Sequence, residues 1–149
     1  GASAFFAVDP ESEMFLGGIY RCFRRLNSEK EIPKNPQTPE EWFDRWSCLE
    51  GFAEDGVSIH TGNSAYGALN LAYYISPERV ALFGVDGTTN ESLGSNHKPR
   101  NLSHLNLLFR SCLPQLKKKN INIMNGSPNS VVDCFPRITP NEACRWLNE

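Results

Sequence analysis

The sequence lacks any apolar run that approaches the roughly 20 residues a membrane-spanning helix needs. It also lacks an excess of charge of either sign, because 15 Lys and Arg stand against 17 Asp and Glu, for a formal net charge of −2. A chain of this charge has no global attraction to nucleic acid or to anionic lipid. We therefore expect neither a nucleic acid nor a membrane as its partner.

Paired cysteines are lacking as well. There are five cysteines, an odd number, and no CxxC or other zinc-like spacing joins any of them: Cys22, Cys48, Cys112, Cys134 and Cys144. Two of them fall on predicted apolar helix faces, where a free cysteine behaves as a small hydrophobic side chain. We expect buried thiols in a reducing compartment, the cytoplasm, rather than disulfides or a metal site. Walker A, GxGxxG, HExxH and Ser-His-Asp patterns are also missing, so hydrolase and metalloprotease functions have no support.

The pattern of apolar residues alternates between strands and helices along 149 residues, a length that suits one domain covering 1–149. Strands are predicted at 4–8, 57–59, 80–83 and 121–124. Helices are predicted at 11–26, from Pro39 onward, and at 63–75, 102–116 and 140–147, with Thr38 and Thr139 as N-caps. Alternating strands and helices predict an α/β fold, a Rossmann-like and mostly parallel sheet with helices on both faces. Residues 1–3 are typical of a cloning remnant, which suggests that the chain is part of a longer protein.

Three polar segments should meet at one edge of that sheet, because ligands in open parallel sheets bind beyond the carboxyl ends of the strands. They are 61–64, 84–87 and 125–130, and all are rich in Gly, Ser and Asn. The candidate ligand-binding residues in them are Thr61, Gly62, Asn63, Ser64, Asp86, Gly87, Asn125 and Ser127.

Each segment also has a plainer interpretation. Thr61 to Ser64 precede a helix, whose start favours phosphate or carboxylate, but Asn63 or Ser64 could equally be an ordinary N-cap. Asp86 follows a buried strand, where a carboxylate often holds a ribose hydroxyl or a metal, or it is a turn residue beside Gly87. The 125–128 segment could be a simple turn.

Three histidines are present, and His97 is the candidate catalytic residue. It lies in the long polar loop 84–100, which is rich in Gly, Asn, Thr and Ser, and Lys98 follows it. A histidine near a ligand can act as general acid or base at neutral pH, although a solvated loop histidine can also be idle. His60 directly precedes the Thr61 turn. His104 lies on the polar side of the predicted 102–116 helix, so we expect it at the surface.

The run TGNSAYGALNLAYYISPERVALFGVDGT, residues 61–88, resembles the core of a group of phage and bacterial proteins related to glycosyltransferases. Asn125-Gly126-Ser127-Pro128-Asn129-Ser130 and Phe135-Pro136-Arg137 are similar to their closing Ser-Pro-x-Ser and Phe-Pro-Arg elements. The similarity covers 60–149 well and 4–12 loosely, while 27–56 is unmatched and is interpreted as a variable insertion. More distantly, this group is similar to bacterial sialyltransferases and to archaeal pterin pyrophosphokinase-like proteins.

The resemblance implies a transferase that takes sugar from a CMP- or UDP-sugar donor. It assigns nucleotide binding to Thr61, Gly62, Asn63 and Ser64, with Asp86 beside the same pocket and His97 in proton transfer. It also implies a phage or bacterial origin. Apart from the resemblance, we expect a cytoplasmic location, the host cytoplasm for a phage protein, and we leave a homo-oligomer open.

The sequence departs from the family's pattern in two places. Residues 87–91 replace the aromatic and histidine cluster that often follows the aspartate, and a first nucleotide-binding strand is missing. These departures leave a non-catalytic nucleotide-binding protein as the alternative function. A third hypothesis is an assembly protein that uses exposed Trp42 and Trp46 as its contact surface. The alternative interpretation is that both tryptophans face the core.

Overall fold

The computed structural model of the protein describes residues 5–7, 20–87 and 101–149. Its strands are β1 (Phe5–Ala7), β2 (Tyr20–Cys22), β3 (Arg24–Leu26), β4 (Ser58–His60), β5 (Arg79–Leu82) and β6 (Asn122–Asn125). Its helices are α1 (Pro39–Arg45), α2 (Ser64–Ile75), α3 (Leu105–Ser111), α4 (Leu113–Lys118) and α5 (Pro140–Asn148). Within these ranges no helix is both long and apolar enough to cross a lipid bilayer.

All of the described strands pair in parallel, as β1 with β2, β3 with β4, and β5 with β6. A parallel pair needs a crossover connection. Helix α1 lies within the crossover from β3 to β4, and α3 and α4 lie within the one from β5 to β6. The protein therefore mixes helices with parallel strands, as predicted. Among the described residues the strands form three separate pairs rather than the single sheet that the sequence suggested.

The predicted helix at 11–26 is wrong at its end, because Tyr20–Cys22 and Arg24–Leu26 are strands. Arg24 donates its main-chain N–H to the Val57 carbonyl at 2.9 Å, and the β3 ladder continues along β4 to His60. Pairing with a segment more than 30 residues away thus overrides a helical pattern that Gly17-Gly18 already weakens. Residues 11–19 lie outside the described part of the chain.

The predicted N-caps are confirmed. Thr38 and Thr139 each accept a hydrogen bond from the main chain three residues later, and Glu41 and Glu142 complete the two capping boxes. Asn63 caps α2, since its Oδ1 accepts from the Ala65 N–H at 2.8 Å.

The buried face of α2 matches the predicted one in part. Of the predicted stripe Ala65, Ala68, Leu69 and Ala72, Leu69 is buried and the first and last alanines pack against the core, but Ala68 is exposed. The structure also buries Tyr66, Asn70 and Tyr73. The two tyrosine rings pack on Phe52 with centroid distances of 5.2 and 5.1 Å. Large aromatic rings bury more apolar area than alanines, so they determine which face turns inward.

The predicted 102–116 helix is divided at Cys112 into α3 and α4, with Pro114 at the start of the second. Proline fits the first turn of a helix but removes an N–H from a helix interior, which explains the division. Cys48 and Cys112 are buried as predicted, but Cys134 is only half-buried, and Cys144 is exposed because it lies on the outer side of α5.

Candidate functional site

The three predicted binding segments fall in two places. Thr61, Gly62, Asn63 and Ser64 all line one pocket of about 430 Å³. The remaining candidates, Asp86, Gly87, Asn125 and Ser127, lie in two loops that are bonded to each other. Among the described residues no hydrogen bond joins the two places.

The pocket, called here the Thr61 pocket, is assembled from four parts of the chain. Besides the 61–64 turn it is lined by Arg25 of β3, Trp46 after α1, and the α2 residues Gly67, Ala68 and Leu71, with Ile59 and Leu102. The parallel register of β3 and β4 sets Arg25 directly opposite Ile59, two residues before Thr61. This register places a guanidinium beside the start of a helix.

The turn itself is tightly packed. Gly62 has a φ of +97°, a left-handed conformation that favours glycine, and a side chain there would collide with the Cys48 sulfur. Asn63 uses its side-chain oxygen to cap α2. The hydroxyl oxygen of Thr61 is buried and has no hydrogen-bond partner among the described residues.

Trp46 forms the aromatic wall of the pocket. Its indole N–H donates to the Asn101 carbonyl at 3.1 Å, and its ring stacks on His104 with a centroid distance of 6.0 Å and an interplanar angle of 27°. The ring is partly buried against the core. The interpretation of Trp46 as core-facing therefore holds for one side of the ring, while another part of it lines the pocket.

His104 is not at the surface as predicted: it is fully buried, with a relative exposure of 0%. It precedes α3, and its ring is covered by Trp46, a contact from a distant part of the chain that helical periodicity does not reveal. Neither ring nitrogen has a hydrogen-bond partner among the described residues. Burial lowers the pKa of His104 below its ordinary value, and the main chain of Gly62 opposes that shift only in part.

At the second place the polar groups are occupied by the fold. Ser127 Oγ accepts from the Val85 N–H at 2.9 Å, and Asn125 Nδ2 donates to the Val132 carbonyl at 3.0 Å. Both side chains are buried. The Asp86 main-chain oxygen accepts from Val131 at 2.7 Å, while the Asp86 residue is exposed. Ser127 thus connects the two loops, while the Asn125 side chain is committed to bonds within the 125–132 segment, and Asp86 is exposed beside them.

Helix α3 contacts both places. A Cβ at Gly87, whose φ is +66°, would lie 3.0 Å from Leu105, and one at Gly62 would lie 3.3 Å from Leu108. Leu105 and Leu108 are one helical turn apart and both are buried. Gly62 of the Thr61 turn and Gly87 of the 84–87 segment therefore both lie against this short helix, and the Thr61 turn lines the pocket described above.

Two of the histidines remain to be described. His97 lies outside the described residues, as does its loop at 88–100. The His60 ring is 2.9 Å from the Gly51 carbonyl through Nδ1. In the described ranges no three His, Cys, Asp or Glu side chains cluster as metal ligands would.

The sequence analysis missed Arg25 and Trp46. Both were assigned to helices by their periodicity or packing, and neither adjoins the Thr61 turn in the sequence. Compared with protein-family models, curated proteins and solved structures, the chain shows no significant match.

Proposed function

We propose that the protein binds a nucleotide or a nucleotide-sugar in the Thr61 pocket. The observation that carries this proposal is the meeting of a helix start, a guanidinium and an aromatic ring around one cavity of about 430 Å³. Ligand pockets of this kind measure about 300–1,000 Å³ and combine apolar walls with a few polar groups.

The phosphate would lie between the start of α2 and Arg25. Helix α2 has 12 residues, and the partial positive charge at a helix start attracts anions. A guanidinium matches phosphate oxygens with two parallel hydrogen bonds. In the part of the chain that the structure describes, no carboxylate forms an ion pair with Arg25, so the cation remains free for an anionic ligand.

The nucleoside would lie against Trp46, Leu71 and Leu102. Bases of any sequence stack on aromatic side chains, at about 1–3 kcal/mol per base. Thr61 lines the pocket, but its hydroxyl oxygen is buried, so the polar contacts to the ligand would come from Arg25 and from the main-chain amides at the start of α2.

Sugar transfer is the second candidate function, favoured by the resemblance of residues 61–88 and 125–137 to glycosyltransferase-related proteins. His97 would move the proton, and the amides at the start of α2 would hold the departing phosphate. A Rossmann-like assembly of the three strand pairs, a cytoplasmic location, a homo-oligomer and a phage or bacterial source belong to this proposal.

The test of binding is calorimetry with CMP, UDP and a CMP-sugar against the wild type, Arg25→Ala and Arg24→Ala. The two arginines are adjacent and both exposed on β3, but only Arg25 lines the pocket, which makes Arg24 the matched control. We expect Arg25→Ala to weaken binding about 10- to 150-fold, the equivalent of a charged hydrogen bond worth about 1.5–3 kcal/mol. Binding of none of the three ligands, or equal losses in the two variants, would overturn the proposal.

The test of transfer is product formation from the CMP-sugar, with water or a simple sugar as acceptor, by the wild type and His97→Ala. Turnover that is lost in His97→Ala while the affinity for CMP is kept would establish the transferase. Binding with the donor recovered unchanged would favour the non-catalytic function.

A further inference from the structure

The most unusual polar group among the described residues is the imidazole of His104. The fully buried side chains of Asn70 and Asn125 make hydrogen bonds, whereas the hydroxyls of Ser58 and Thr61 and both ring nitrogens of His104 are buried without a partner. His104 has neither ring nitrogen paired, although it is completely buried. Buried polar groups in proteins nearly always have partners, so an exception on a wall next to a pocket requires a physical explanation.

No carboxylate among the described residues hydrogen-bonds to the His104 ring. Helix α1, which contacts α3, carries Glu40, Glu41, Asp44 and Arg45, and α3 itself carries Arg110. The Cys48 thiol lies against Gly62. In the described chain, Asp44 pairs with Lys30 and Arg110 with Asp133. None of these groups hydrogen-bonds to the imidazole.

We propose that His104 is a positioning residue of the Thr61 pocket: its neutral ring holds Trp46 in place, and protonation of the ring releases it. The geometry supports this role because the imidazole is fully buried and stacks on Trp46, which lines the pocket. The ring itself touches no ligand in this proposal.

The direction of the effect follows from the burial. The ordinary pKa of histidine is about 6.5, and burial in the folded protein lowers the pKa of His104. The packed arrangement is therefore fully favoured above about pH 6.5, and it is lost progressively as the pH falls from there through the lowered pKa. A protonated ring would have to leave its site or draw water in, and either movement displaces Trp46.

The direct test follows Trp fluorescence from pH 8 to pH 4. We expect a fluorescence transition in the wild type and in the two control variants, His60→Gln and Trp146→Phe. The transition should be lost in Trp46→Phe and in His104→Phe, because a phenylalanine ring can stack but cannot take a proton. A transition that persists in His104→Phe, or a wild-type signal that stays flat until the protein unfolds in acid, would overturn the proposal.

If His104→Phe does not fold, NMR of the wild type replaces it. The His104 ring resonances should titrate together with the Trp46 indole N–H resonance, and independent titration of the two contradicts the proposal.

A second test rests on the proposed function and measures CMP affinity against pH. We expect the affinity to fall below pH 6.5 by up to about tenfold per pH unit, the limit for one linked proton, and to be less sensitive in His104→Phe. If the fluorescence transition occurs and no nucleotide binds, the nucleotide proposal fails while the role of His104 stands. If nucleotides bind and their affinity does not depend on pH, the nucleotide proposal stands and the proposed role of His104 fails.

Discussion

Replacement of Asn70 by alanine should destabilise the protein more than most single substitutions, because one side chain fixes two segments to α2. Asn70 Oδ1 accepts from the Ala53 N–H at 3.0 Å and from the His60 N–H at 2.9 Å, while Nδ2 donates to the Ala53 carbonyl at 3.2 Å. Asn70 is fully buried, and Ala53 is 5% exposed. These bonds hold the end of β4, and with it the beginning of the Thr61 turn.

The magnitude follows from the groups left without partners. In Asn70→Ala both main-chain groups of Ala53 remain buried and unpaired, at about 1–3 kcal/mol each, so we expect a loss of about 2–6 kcal/mol in the free energy of unfolding. His60 is half-buried, so water can replace its bond and we assign it no further loss. Small domains have only about 5–15 kcal/mol in total, so the change is large.

Urea denaturation measures the loss, with Asn141→Ala on the exposed side of α5 as the control. A loss below about 1 kcal/mol in Asn70→Ala would refute the reasoning. Asn70→Asp adds a test of the donated bond, because burial raises the pKa of a carboxyl group. The Asn70→Asp variant should be most stable when the new carboxyl group is protonated and should lose stability as the pH rises. Its deficit in the free energy of unfolding relative to the wild type should therefore shrink as the pH falls from 7 to 4.

Three further predictions follow from individual residues. Gly62→Ala should lower the melting temperature, since alanine at φ +97° is strained by about 1–3 kcal/mol and meets Cys48; an unchanged thermal scan contradicts this. Main-chain hydrogen bonds from Val57 and Ser58 lower the pKa of Asp55 to about 2. The contribution of Asp55 to stability is therefore present above about pH 4 and is lost as the pH falls from about 4 to about 2. The denaturant midpoint should depend less on acid pH in Asp55→Asn than in the wild type. Burial raises the pKa values of Cys48 and Cys112 to about 12, so mass spectrometry after alkylation of the native protein should find Cys144 modified first, and equal labelling contradicts this.

The features that the sequence predicted correctly are those whose causes are local. A threonine followed three residues later by glutamate determines a helix start, so Thr38 and Thr139 were identifiable without any tertiary information. For Asn63 the sequence left an N-cap and an anion-binding turn as alternatives, and the structure shows the N-cap. Strand β4 and the parallel pairing of β5 with β6 also follow from the alternation of strands and helices.

The features that the sequence did not reveal depend on distant parts of the chain. Arg25 reaches the pocket because β3 pairs with β4, and His104 is buried because Trp46 covers it. Periodicity describes which side chains share a face, but it does not state which face finds a partner. The separation of the strands into pairs likewise depends on contacts between elements rather than on any one segment.

The three Gly-, Ser- and Asn-rich loops were equivalent in the sequence, and hydrogen-bond satisfaction is what separates them in the structure. Around Ser127 the donors and acceptors find each other, and Arg137 adds bonds at 2.6 Å to the carbonyls of Ser127 and Ser130. At the Thr61 turn the Arg25 guanidinium, which lines the same pocket, forms no ion pair among the described residues. A loop whose polar groups bond to one another gains nothing from a ligand, whereas an unpaired cation beside a helix start gains from an anion. Nucleotide binding should therefore be sensitive to changes at Arg25 and indifferent to Ser127 except through stability.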